Sequence, residues 1–291
     1  MTGSGTFRAI DGYRIGTFAL VAALVLGVLF VAVNPRAPEP QAARSAAVPP
    51  ARVSDRPVAG SFVHHFGSAH DPVHWYKSDF QYPDSDHPAW KADLIHFKHN
   101  RIELEVRRER VADKTIAGAE YQRRGFYHYG RYEVVMKPAK GSGTVSAMFT
   151  HTHGQFGDPH DEIDIEFLGN RPRELHLNYF TNGRPIGSIY VPLGFDASEE
   201  AHLYAFEWEP EAIRWYVGDR LIYTATPADH PIPQAPGRLM VHLWSGGANQ
   251  IKWHGRPTFK DGVRASVYCL SHQAAGDASR QCSDTFRARA K

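Results

Sequence analysis

The run Asp161-Glu162-Ile163-Asp164-Ile165-Glu166-Phe167-Leu168-Gly169 concentrates the chemistry of this chain. As a β-strand it alternates its side chains between two faces. Ile163, Ile165 and Phe167 share one face, which calls for a core. Glu162, Asp164 and Glu166 share the other, where like charges raise one another's pKa. Paired carboxylates that flank a scissile bond, one ionised and one protonated, are the means of breaking a glycosidic linkage. The same alternation also describes a plain solvated strand face. A row of carboxylates can equally hold a hard cation such as Ca²⁺ or Mg²⁺.

The neighbouring segments are crowded with aromatic residues: Tyr127, Tyr129, Tyr132, Phe149, Tyr179, Phe180, Trp208, Trp215, Tyr216, Trp244 and Trp253. Sugars present apolar C–H faces that lie well on rings, so acids among aromatics suit a polysaccharide better than a bare ion. His151, His153 and His160 invite a metal reading, since histidine is the commonest metal ligand. With 17 histidines scattered through the chain, hydrogen bonding to sugar hydroxyls is the better reading for His151 and His160, and no metal or cofactor is expected.

Strands must position these groups. Leu94–Phe97 and Arg101–Val106, joined by Lys98-His99-Asn100, read as a hairpin. Further strands are expected over Tyr129–Lys137, Thr144–Thr150, the acidic run, and Glu174–Thr181, the last ending at the turn dipeptide Asn182-Gly183. His202–Glu209, Ala212–Val217 and Leu221–Ala225 read as a meander, and Leu239–Trp244 and Val263–Leu270 close the set. No soluble amphipathic helix longer than three turns is evident. Many short strands with regular turns predict an all-β sandwich or jelly roll.

The 291 residues suffice for one large β domain and contain no internal repeat. A net charge of +2 with both signs interspersed gives no nucleic-acid footprint. Residues 15–33 are uncharged and apolar, close to the roughly 20 residues that span a bilayer. They are expected to be an uncleaved signal anchor, with a cleaved signal peptide as the alternative. Residues 34–60, rich in Pro, Ala and Arg, read as an extended tether. The globular domain is assigned to 61–270, after a short 1–14 segment, and a polar tail at 271–291 reads as a surface extension. Cys269 and Cys282 are the candidate disulfide of an exported domain, the alternative being two free thiols.

The acidic strand and its flanks resemble glycoside hydrolase family 16, most closely the bacterial lichenase-like endo-β-glucanases. Gly130-Arg131-Tyr132-Glu133-Val134 with Met136-Lys137-Pro138-Ala139-Lys140 is similar to the strand before the active site. Leu177-Asn178-Tyr179-Phe180-Thr181-Asn182-Gly183 is similar to the segment after it. So are Leu193–Ser198, Tyr204–Trp208, Ile213–Val217 and Leu243-Trp244, and the similarity spans about residues 75 to 270. The resemblance implies a β-jelly-roll of two antiparallel sheets, with the active-site groove on the concave face, here preceded by one N-terminal hydrophobic helix. It implies retaining hydrolysis of internal β-glycosidic bonds, with Glu162 as nucleophile, Glu166 as general acid and base, and Asp164 assisting between them. Glu120, Tyr121, Phe149, His151, His160, Asn178, Tyr179 and Trp244 would bind substrate.

Two departures stand out. His160 occupies the place where lichenases carry Trp before the acidic motif. Glu120-Tyr121-Gln122 stands for the family's Glu-Tyr-Arg, so the Arg contact is missing or comes from Arg123 or Arg124. A transglycosylase is the rival activity and a non-catalytic glucan-binding module the rival class, though the latter usually lacks one of the two glutamates. The expected partners are a β-glucan or glucose-containing exopolysaccharide and, through the N-terminal segment, a membrane. The expected state is a monomer. The expected place is the inner membrane facing the periplasm or exterior, or the medium if the segment is cleaved.

Overall fold

The structure is a computed structural model that describes residues 57–286, apart from 84, 153, 260 and 261. The hydrophobic span at 15–33, nearly all of the tether, His153 and the last five residues lie outside the described residues. Among the described residues no helix is long and apolar enough to cross a membrane.

In chain order the strands are β1 (Phe62–His65), β2 (Trp75–Lys77), β3 (Ala89–Trp90), β4 (Ile95–Lys98), β5 (Arg101–Val111), β6 (Lys114–Arg123), β7 (Gly130–Lys137), β8 (Val145–Thr152) and β9 (Asp161–Leu168). They continue as β10 (Glu174–Thr181), β11 (Arg184–Pro185), β12 (Ile189–Pro192), β13 (His202–Glu209), β14 (Ala212–Val217), β15 (Arg220–Ala225), β16 (Arg238–Trp244) and β17 (Val263–Ala274). A single helical turn, Ile251–His254, follows β16.

Two antiparallel sheets face each other. The first runs β12-β10-β9-β8-β16-β6-β2 and places the acidic strand β9 between β8 and β10. The second runs β4-β5-β17-β7-β13-β14-β15, with β1 also paired to β17. Strand β5 joins them: Ile102–Val106 pair with β17, and Arg107 onward pairs with β6. This is the jelly-roll sandwich expected from the pattern.

The core between the sheets explains the acidic strand's alternation. Ile163 and Ile165 are fully buried and Phe167 nearly so, packed with Met148, Leu177, Tyr204, Phe206 and Trp215. Each such side chain contributes roughly 1.5–3 kcal/mol relative to exposure. Trp215 crosses from the opposite sheet and donates its Nε1–H to the Asp164 carbonyl at 3.0 Å, which tethers β9 at its centre. At Gly118 any Cβ would lie 2.8 Å from the Leu243 carbonyl oxygen, so only glycine lets β6 run this close to β16 and Trp244. Asn182 and Gly183 both have positive φ, +52° and +76°, as a tight hairpin turn demands.

Two expected boundaries move. Val58 already bridges to Phe126, so the fold begins before residue 61. At the other end β17 continues past 270 to Ala274, and the segment expected as a surface tail packs onto the domain. Ser271, His272, Gln281 and Cys282 are buried, and Cys269 and Cys282 are disulfide-bonded. Pairing accounts for part of the tail's burial. Ser271 Oγ donates to Gln281 Oε1 at 2.7 Å, and the Ser283 amide donates to the buried Glu133 at 2.8 Å.

Candidate active site

Register across the first sheet builds the site row by row. Phe180, Glu162, His151 and Arg238 are successive cross-strand neighbours. The next row on the same face is Asn178, Asp164, Phe149, Met240, Gln122 and Tyr76. A third is His176, Glu166, Ala147, His242 and Glu120. Neighbouring strands lie about 4.8 Å apart, so each row is a ladder of side chains across one surface. Above it opens a groove of about 760 Å³ that all three carboxylates line. Its walls add Phe80, Tyr82, His87, Trp90 and Trp244.

The three acids sit in different surroundings. Glu162 Oε2 receives hydrogen bonds from His151 Nδ1 at 2.8 Å and His160 Nε2 at 2.7 Å. Burial pushes Glu162 upward, but the charge and hydrogen bonds of these two imidazoles outweigh it and hold the carboxyl well below the usual range. Asp164 goes the other way. Burial, then the charges of Glu162 and Glu166, then a hydrogen bond to Glu162, raise it well above an ordinary aspartate. Glu166 is also raised by burial, against a partly offsetting 2.6 Å hydrogen bond to His176 Nδ1. His176 is itself buried, with Tyr190 and Trp253 rings against it. The surroundings on this face therefore favour the ionised form of Glu162 and bias Asp164 and Glu166 toward their protonated forms. That division suits one group to attack and another to donate a proton.

Farther along the floor, Glu120 accepts from Ser78 Oγ at 2.6 Å and Gln122 Nε2 at 2.8 Å. Burial raises its pKa and these bonds partly offset the rise. Arg238 donates to Gln122 Oε1 at 2.9 Å. Burial drives His242 down to about 3, and burial likewise lowers His87, so both are neutral near neutral pH. The indole nitrogen of Trp244, Asn178 Oδ1 and both ring nitrogens of His242 are buried without a protein partner.

Of the residues singled out from sequence, Glu162, Asp164, Glu166, Glu120, Phe149, His151 and Trp244 line the groove, and Asn178 shares its face. Tyr121 and Tyr179 do not. Both point into the core, where Tyr121 stacks on Trp75 at 4.7 Å and the Tyr179 hydroxyl donates to the His230 carbonyl. Strand alternation dictates this, because each is one residue out of phase with a groove residue, Glu120 or Asn178. Tyr127, Tyr132, Trp208 and Trp215 are core residues as well, the last three on strands of the opposite sheet. His151 and His160, expected to bond sugar hydroxyls, converge on Glu162 instead. Arg123 lies over the Phe62 ring and Arg124 bonds the Pro72 carbonyl, so neither replaces the family's Arg. The guanidinium beside Gln122 comes from Arg238.

Asp161, at the head of the acidic run, plays a structural part. Its carboxylate accepts the backbone N–H groups of Asn182, Gln234 and Ala235 at 2.8–3.0 Å, which ties two loops to the start of β9. Phe80, Tyr82, His87 and Trp90 escaped the sequence reading because 78–90 has almost no strand periodicity; aromatic density was its one signal. His242 and Arg238 were legible, since Arg238, Met240, His242 and Trp244 alternate with buried Leu239, Val241 and Leu243.

Comparison with known proteins places the geometry in context. The profile described as Glycosyl hydrolases family 16 matches residues 84–262. A β-glucanase from Brevibacillus brevis is 39% identical over 196 residues, covering 66% of this chain and 73% of that protein. The solved Bacillus licheniformis β-glucanase superposes with a TM-score of 0.68 at 35% identity, over 74% of this chain and 98% of that one. A prokaryotic β-1,3-1,4-glucanase (lichenase) derived from a mouse hindgut metagenome gives a TM-score of 0.69 at 35% identity, over 74% and 99%.

Proposed function

The chain belongs to glycosyl hydrolase family 16 and is a glycoside hydrolase, and from that premise we propose that it is a retaining endo-β-glucanase. Its substrate is a β-1,3-1,4-linked or β-1,3-linked glucan, or a glucose-containing exopolysaccharide. The observation that carries this reading is the opposite electrostatic bias of Glu162 and Glu166 on one groove face. The names of its relatives, β-glucanase and lichenase, support the substrate class.

In the first step Glu162 attacks the anomeric carbon as that carbon's bond to the leaving sugar breaks. Glu166 gives its proton to the leaving oxygen, and a glycosyl ester forms on Glu162. In the second step the Glu166 carboxylate takes a proton from water, the resulting hydroxide attacks the same carbon, and the ester bond breaks to free Glu162. His151 and His160 keep Glu162 ionised for attack. Asp164, biased toward its protonated form, hydrogen-bonds it from the same strand and so adds little charge beside Glu166. Trp244, Trp90 and Phe149 offer rings to sugar faces. The unpartnered polar atoms of His242, Trp244 and Asn178 favour a neutral polyhydroxylated ligand. A disulfide persists in an oxidising compartment, which supports placing the domain outside the cytoplasmic membrane.

The test is product analysis on barley mixed-linkage glucan, laminarin and xyloglucan. Short oligosaccharides from mixed-linkage glucan or laminarin are expected. Cleavage of xyloglucan alone would contradict the assignment, and cleavage of none of the three would exclude the mixed-linkage and β-1,3-glucan substrates.

A further inference from the structure

Two imidazoles and a carboxylate converge on one point of the groove. His151 Nδ1 and His160 Nε2 approach the same oxygen of Glu162, and the three ligand atoms lie within 4.8 Å of one another. The backbone presets this. His151 and Glu162 are direct partners in the β8–β9 register, and His160 immediately precedes β9. The His160 ring is stacked on Phe180 at 4.7 Å with 21° between planes, which limits its rotation. All three side chains are part-exposed, and His151 and Glu162 line the groove, so an ion in solution can reach them.

We propose that His151, His160 and Glu162 form a site for a divalent transition ion of the zinc class, and that an ion bound there blocks hydrolysis by occupying Glu162. Two neutral imidazoles and one carboxylate are a ligand set zinc takes readily, with a further position left open. Nitrogen donors disfavour Ca²⁺ and Mg²⁺, which prefer all-oxygen shells. Ligand bonds of about 2.0–2.2 Å in a tetrahedron set ligand atoms roughly 3.3 Å apart. The present O···N contacts of 2.7 and 2.8 Å need to open by only about half an ångström to admit the ion. The ion displaces the protons now shared between the imidazoles and Glu162 and takes the oxygen lone pair that would attack sugar. The binding half of this inference stands on geometry alone. The inhibition half rests on Glu162 being the nucleophile.

Calorimetric titration of the chelator-treated full chain with Zn²⁺ tests it, alongside His151→Gln, His160→Gln and Glu162→Gln. Circular dichroism confirms that each variant is folded, and Mg²⁺ and Ca²⁺ serve as controls. One Zn²⁺ per chain is expected to bind in competition with glucan oligosaccharide, at least about tenfold more weakly in each variant. Hydrolysis should fall as that site fills and recover with EDTA. Equal Zn²⁺ affinity in the native chain and all three variants would assign binding to other histidines and overturn the site, as would no binding below millimolar Zn²⁺. Site-dependent binding without inhibition would keep the metal site and overturn the nucleophile assignment, which separates the two failures.

Discussion

At the scale of single residues, the groove works by giving identical groups unlike neighbours. Glu162 and Glu166 are both glutamates on one strand face, yet two imidazoles hold the first ionised while burial biases the second toward its acid. His176 moderates that bias, since its hydrogen bond to Glu166 lowers a pKa that burial raises. The sign of its removal follows. His176→Phe takes away only the lowering influence, so the Glu166 pKa rises further. A general acid must be protonated to act, so the alkaline limb of kcat/KM should move to higher pH in His176→Phe, while His176→Gln, which keeps a hydrogen bond, moves it less. The pH profile of kcat/KM for the three proteins checks this; an alkaline limb that stays put or moves down would contradict the role given to Glu166.

At the scale of elements, the site exists because β8, β9, β10 and β16 are held in register, and Asp161 is a main clamp on that assembly. It gathers three backbone N–H groups from the β10–β11 turn and the loop before β16. Charge-assisted hydrogen bonds of this kind are worth about 1.5–3 kcal/mol each, and removing the shared acceptor leaves the donors unpaired. Asp161→Ala should therefore cost about 3 kcal/mol or more in denaturant unfolding and impair hydrolysis through the displaced loops. A loss below about 0.5 kcal/mol would contradict the clamp. Much at this scale was legible beforehand. β10, β13 and β14 fall at their expected limits because clean alternation and strong turn residues bound them. Strand β6 was not legible, because Lys114–Arg123 mixes Gly118 and small alanines into a strand packed closely against β16. Tyr121 and Tyr179 were misplaced because an aromatic residue looks the same in sequence whether it faces sugar or core. Only its phase relative to the acidic face tells, and that phase was available.

At the scale of the whole molecule, the fold resembles solved β-glucanases, and its groove carries His87, His151, His242 and Arg238. The C-terminal segment belongs to the domain, stitched by Cys269–Cys282 across a sequence separation of 13 residues. Closing so short a loop contributes about 3 kcal/mol in the chain-entropy model. Because the bridge joins β17 in the sheet away from the groove, reduction should lower thermal stability while leaving kcat at moderate temperature unchanged. Comparing melting and rate with and without reductant checks both halves. The central claim remains the double displacement on Glu162. Its most direct test is proton NMR of a β-glucan oligosaccharide during the first moments of cleavage, with Glu162→Gln as the paired measurement. The β-anomer should form first and mutarotate later, and Glu162→Gln should lose at least about a thousandfold in kcat while remaining folded. An α-anomer as first product, or a Glu162→Gln enzyme that keeps more than a few per cent of the rate, would contradict the account.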